Sequence, residues 1–154
     1  MAGDRETFMG EFRSSHGRVL DRDLFFFLLD LEVKRARRYQ NFLCLLIFIP
    51  KIKTSLKEDD GNGFETCYQT LIQLLTEEVR ETDLIGSLGE HKLAVLLPYA
   101  DVLAGGHAKS RHEKTLEYYD FHNKGFEVMV DQVCFPINGA DTGDLLRKAL
   151  GAEA

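Results

Sequence analysis

Eight consecutive apolar residues, Phe42-Leu-Cys-Leu-Leu-Ile-Phe-Ile49, are closed by Pro50. A half-exposed strand would alternate apolar and polar residues, and a buried helix would run longer. The stretch therefore predicts a central β-strand over 42–49, ended by Pro50 and buried on both faces. Such a strand needs a hydrogen-bonded neighbour on each side and helices above and below it. With 154 residues, 44% of them hydrophobic and 29% charged, the chain is long enough to supply these from one core and too short for two ordinary ones. The expected organisation is a polar lead-in over 1–16, either frayed or the end of a connecting helix from some upstream segment, and a single domain over 17–154.

The covering elements can be read from periodicity. From Val19 to Tyr39 the residues Leu20, Leu24, Phe27, Leu28, Leu31 and Val33 fall mostly at helical spacing, and Lys34, Arg35, Arg37 and Arg38 favour the negative end of that helix. Phe25, Phe26 and Phe27 cannot all face one core on a helix, so at least one lies outside it. The acidic Glu58-Asp-Asp-Gly-Asn-Gly63 reads as a solvated loop, and Phe64 to Arg80 returns to helical spacing through Cys67, Leu71, Leu74, Leu75 and Val79. Leu84–Leu88 and Lys92–Pro98 flank Gly89-Glu-His as a hairpin. Ala100 to Leu116 reads as a weaker helix interrupted at Gly105-Gly106, and Glu117–Phe121 with Phe126–Phe135 as a second hairpin around His122-Asn-Lys-Gly125. A short helix capped by Asp141 closes the chain at Leu150. The predicted fold class is an α/β (α+β) sandwich with a mixed, mostly antiparallel sheet covered by helices.

Composition excludes several functions. A net charge of −6 argues against a nucleic-acid partner. No apolar run approaches the ~20 residues that cross a bilayer, so the expectation is a cytoplasmic protein without a membrane partner. Cys44, Cys67 and Cys134 lack any metal-ligand spacing and read as three reduced thiols, and the five histidines read as surface or loop residues. No metal cofactor is expected, nor a carboxylate pair at catalytic separation.

Three stretches in one order carry a resemblance. Leu20-Asp-Arg-Asp through Arg35-Ala-Arg-Arg-Tyr39 precedes the apolar strand; Val79-Arg-Glu-Thr-Asp-Leu-Ile-Gly-Ser-Leu-Gly-Glu-His-Lys-Leu-Ala-Val-Leu-Leu-Pro98 holds the first hairpin; Cys134-Phe-Pro-Ile-Asn-Gly-Ala-Asp-Thr-Gly-Asp-Leu-Leu-Arg-Lys-Ala149 closes the domain. Together they resemble the GGDEF family, the diguanylate cyclase domain of bacterial signalling, over most of residues 18–150. The resemblance implies a cyclase-like fold. It also implies where the chemistry is altered, since Gly89, Glu90, His91, Lys92 and Leu93 stand in place of the signature Gly-Gly-Asp-Glu-Phe. The family's two divalent metals sit on carboxylates, one from the first strand and one from the signature. These positions fall on Phe48, which reads as ordinary core, and on Lys92, which reads as a solvated hairpin charge. Neither residue offers an anionic oxygen. Glu65 stands near a family aspartate on the following helix.

Family members are commonly inhibited by their product, cyclic di-GMP, at an R-x-x-D placed five residues before the signature. Arg80-Glu-Thr-Asp83 keeps that spacing, and Arg111 is the best-placed arginine to complete such a site. A guanidinium fork suits phosphate oxygens and a guanine Hoogsteen edge, and a carboxylate suits the guanine N1–H and N2–H. Arg18-Val-Leu-Asp21 matches the same short pattern, so position rather than pattern gives Arg80 its weight. The expected function is a signalling domain without cyclase activity that binds cyclic di-GMP through Arg80, Asp83 and Arg111. The alternative is a nucleotide-independent module that docks a signalling partner or a second copy of itself, with Arg80 and Asp83 kept for local geometry.

Overall fold

The apolar run becomes the second most lateral strand of a five-stranded sheet, and both of its faces are sealed. The computed structural model describes residues 18–53 and 62–151. In chain order these form β1 (Val19–Leu20), α1 (Arg22–Tyr39), β2 (Leu43–Ile52), α2 (Asn62–Glu78), β3 (Leu84–Gly89), β4 (Lys92–Pro98), α3 (Val102–Tyr119), a 3-10 turn (His122–Lys124), β5 (Phe126–Phe135) and α4 (Thr142–Leu150). The sheet order is β1-β3-β4-β2-β5. β1 runs parallel to β3 and every other pair is antiparallel. The lead-in over 1–16 and the acidic Glu58-Asp59-Asp60 lie outside the described residues.

Because side chains alternate along a strand, β2 divides the core in two. Cys44, Leu46 and Phe48 pack with Cys67, Leu71 and Leu75 of α2 and with Ala108 and Leu116 of α3. Leu43, Leu45, Ile47 and Ile49 pack with Phe25, Leu29 and Val33 of α1 and with Leu145 and Ala149 of α4. The sheet is thus covered on both faces although it is mostly antiparallel, which is why β2 shows no polar alternation. Phe25 is fully buried and Phe27 is 60% exposed, so the three phenylalanines do part across the α1 surface.

Several local expectations are corrected. The first helix begins at Arg22, not Val19: Asp21 caps it by accepting from the Leu24 amide, and Val19 and Leu20 pair with Ile85 and Gly86. β2 runs through Pro50 to Ile52; β4 pairs with it only from Leu43 to Phe48, so Pro50 lies where β2 has no partner on that side and lacks no ladder bond there. Gly105-Gly106 do not interrupt α3, and the second hairpin does not exist. Residues 117–119 continue the helix, whose end is set by Asp120 in the left-handed region with its N–H donating to the Leu116 and Glu117 carbonyls. Gly105 is instead a packing device: a Cβ there would sit 2.6 Å from Cys44 Sγ and from Gln132 Nε2. Finally, Cys44 and Cys134 are joined as a disulfide, leaving Cys67 as a buried free thiol. The two half-cystines are 90 residues apart, and only the β2–β5 register sets them opposite each other.

Gly86 shows how closely α1 approaches the sheet, since a Cβ there would collide with the Phe25 ring. Gly86→Ala is expected to destabilise the fold by about 1–3 kcal/mol through overpacking, read as a lower midpoint in chemical denaturation. An unchanged midpoint would show that α1 can back away.

Candidate functional site

The β3–β4 turn is built by two residues, Glu90 and His91, between the paired Gly89 and Lys92. Both central residues have positive φ, 54° and 63°, and Gly89 has 91°. This is the handedness a two-residue hairpin turn requires, normally met by glycine or asparagine, and here imposed on a glutamate and a histidine. The turn is held from outside. His91 sets its ring edge-on against Phe64 and Tyr68, with centroids 5.0 and 4.8 Å away, and its Nε2 lies 3.4 Å from Glu65 Oε2. Burial raises the Tyr68 phenol, opposed by its hydrogen bond with Ser87, whose Oγ also accepts the Gly89 N–H. Glu90→Gly relieves the strain at one turn position, and a gain of about 1 kcal/mol in unfolding free energy is expected. A loss of stability would mean that Glu90 makes an interaction outweighing its backbone.

Lys92 corrects the expectation of a solvated charge. It is only 7% exposed, and Nζ donates to the Leu150 carbonyl at 3.2 Å, so the ammonium closes the C-terminal end of α4. Its neighbour Leu93 is fully buried and pairs with Phe48 in register. Phe48 is core, as expected, with its ring edge-on to His112 at 5.3 Å. His112 is not a surface histidine. It is 2% exposed, and its Nε2 has no hydrogen-bond partner among the described residues. Burial, aided by the Arg111 charge, lowers its pKa to about 4. The folded state therefore keeps a neutral imidazole that the unfolded chain protonates below about pH 6.5. Stability is expected to fall as pH drops from 6.5 toward 4, with a contribution from this group of about 1.4 kcal/mol per pH unit. Denaturant titrations of the wild type and His112→Leu should differ by that slope, and parallel curves would refute the assignment.

The R-x-x-D segment forms a tight turn between α2 and β3. The Asp83 N–H donates to the Arg80 carbonyl, and Asp83 Oδ2 accepts the Arg80 N–H, each at 3.0 Å. Arg18 braces the turn from β1, with Nη2 donating to the Asp83 carbonyl at 2.6 Å and to the Arg80 carbonyl at 3.3 Å. Asp83 is 5% exposed while Arg80 is exposed. Arg111 reaches the same end of α2, where its Nε lies 2.9 Å from Glu78 Oε1. The three predicted ligand residues thus cluster around one helix end, but among the described residues no hydrogen bond or ion pair joins their side chains to one another. Arg18, a chance match by pattern, belongs to this turn. Its only sequence signal was the repeated motif, which did not reveal that β1 lies beside β3.

The two residues that the resemblance sets at the family's metal carboxylates, Phe48 and Lys92, offer a divalent cation no anionic oxygen. Phe48 is an aromatic ring in the core and Lys92 a buried cation bonded to a carbonyl. Among the described residues, no group of three or more His, Cys, Asp or Glu side chains could hold a metal ion.

No protein-family model and no curated protein sequence matches the chain. Its architecture is that of GGDEF domains. The GGDEF domain of YfiN (TpbB) from Pseudomonas aeruginosa superposes with a TM-score of 0.75 at 18% identity, covering 89% of this chain and 83% of that one. A DGC protein from Thermotoga maritima gives 0.74 at 18% identity, covering 92% and 100%. The coiled coil and GGDEF domain of DgcB from Caulobacter crescentus, in complex with c-di-GMP, gives 0.75 at 10% identity, covering 98% and 83%. At these identities the likeness is one of fold, and the expected GGDEF-like fold is present. No helix among the described residues is long and apolar enough to cross a membrane.

Proposed function

We propose that this chain is a GGDEF-family signalling domain that makes no cyclic dinucleotide and instead binds cyclic di-GMP at the end of α2. One observation carries the first half. The two cyclase metal positions hold a sealed phenylalanine and a buried lysine whose ammonium is already bonded within the fold. A 3′-hydroxyl attacking an α-phosphate needs its nucleophile activated and the leaving charge neutralised, and these side chains supply neither.

For the second half, exposed Arg80 and the nearby Arg111 offer guanidinium forks to phosphate and guanine edges, as the c-di-GMP complex of DgcB makes reasonable for this fold. In this reading Asp83 is a positioning residue. Its carboxylate holds the Arg80 turn, and Arg111 exchanges Glu78 for the ligand. Incubation with GTP and Mg²⁺ or Mn²⁺ is expected to yield no cyclic di-GMP, and Lys92→Glu is expected not to restore it, because Phe48 still faces the core. Product above a no-protein control would overturn this half. Calorimetric titration with cyclic di-GMP is expected to show saturable heat, weakened about tenfold or more by Arg80→Ala through loss of charge-assisted hydrogen bonds.

A second reading is favoured by the burial of Asp83 and by the Arg111–Glu78 pair, which already satisfy two of the three proposed ligand residues. In that reading the domain is a nucleotide-independent interaction module. Absence of heat at high micromolar dinucleotide selects it over the first.

A further inference from the structure

The outer edge of β5 has a specific opening. In an antiparallel ladder the N–H and C=O of one residue point to the same side, and the side alternates along the strand. Four bonds at three residues settle the parity here. The Cys134 N–H and C=O both bond to Asn138, the Phe126 N–H donates to the Phe121 carbonyl, and the Gln132 N–H donates to Asp131 Oδ1. All three residues are even-numbered and all three bond outside the β2–β5 ladder. Val128 and Val130 share their parity, so their N–H and C=O groups also point outward. Among the described residues nothing bonds to them. The edge is therefore capped at both ends and open in the middle.

Beside this opening lies a cleft of about 470 Å³ between β5 and the C-terminal half of α3. Its apolar floor includes Leu116, Val128 and Val130, and its α3 rim carries Glu113, Glu117 and Asp120, with no lysine or arginine among the described lining residues. On the other face of the strand, Glu127 and Asp131 flank Met129, with Lys51 opposite Glu127 across the ladder. At the Phe126 end the Lys53 ammonium contacts the His122 ring. A strand added here would thus meet carboxylates from both sides of the sheet and apolar surface in the cleft.

We propose that this opening accepts an extended, basic segment of a partner protein, which adds to the sheet as a sixth strand beyond β5. Backbone pairing with Val128 and Val130 gives affinity, apolar side chains at alternate positions enter the α3 cleft, and basic side chains between them face Glu127 and Asp131. A second copy of this chain is disfavoured by the same residues. An antiparallel β5–β5 pairing that uses both open residues sets Val128 opposite Val130 and therefore Glu127 opposite Asp131, a like-charge pair. This surface lies apart from Arg80 and Arg111, and the proposal does not depend on cyclic di-GMP.

The test uses two fluorescein-labelled, capped heptapeptides, one alternating lysine with valine and one alternating glutamate with valine. Fluorescence anisotropy on the full chain should show binding of the lysine peptide, weakened by salt, and none of the glutamate peptide. Amide hydrogen exchange should slow at Val128 and Val130 when the lysine peptide is bound. Val130→Pro deletes an outward N–H at an edge position that tolerates proline, and should weaken binding about tenfold. Glu113→Lys combined with Glu117→Lys should weaken it as well; this pair lies on an exposed helix face and carries the test if the proline variant does not fold. Equal binding of the two peptides, unslowed Val128 and Val130 amides, unaltered affinity in the folded variants, or a stable dimer that protects the same amides would each overturn the proposal.

Discussion

The burial of β2 on both faces is the constraint from which the remaining structure follows. An isolated strand of this composition exposes apolar surface above and below, and each buried side chain of that size is worth roughly 1.5–3 kcal/mol relative to exposure. The chain meets the requirement by assigning alternate residues to different helix pairs, α2 and α3 on one side and α1 and α4 on the other. The close approaches at Gly86 and Gly105 follow, because helices that seal a sheet this tightly leave no room for a Cβ at their nearest points.

The same packing governs the site. Phe48 extends the apolar face of β2 and fits against α3, and His112 completes the contact with a ring nitrogen that has no hydrogen-bond partner among the described residues. The hairpin has the backbone handedness of a tight turn although its two central residues are a glutamate and a histidine, and aromatic contacts to His91 hold it there. Lys92 directs its charge onto the end of α4. Phe48 and Lys92 both serve cohesion, one as a buried ring and the other as a cation on a helix end, while Arg80 is exposed.

Much of the fold was legible because it rests on local rules. The apolar run, the Gly89 hairpin, the Asp141 cap and the parted phenylalanines each depend on spacing within one element. The misreadings came where tertiary contacts override local propensity. Residues 117–121 read as one strand of a hairpin, yet α3 continues through Tyr119 because Ala108, His112 and Leu116 give it a buried stripe. Val19 and Leu20 fit a helix by spacing but pair with β3. For the site, the turn-forming role of Asp83 could be weighed from sequence, whereas the brace from Arg18 could not, since it joins segments more than sixty residues apart.

What the sequence by itself determined is the two-faced strand, and with it the layered architecture, together with the absence of carboxylates at Phe48 and Lys92. These are properties of residue type and short-range order, which the linear chain displays directly. What only the tertiary structure decided is which distant residues meet: Cys44 with Cys134, Lys92 with Leu150, Arg111 with Glu78, and Val128 and Val130 with the acidic face of α3. The physical reason is that strand order and register are set by the summed packing of all the elements, and no single segment contains that information.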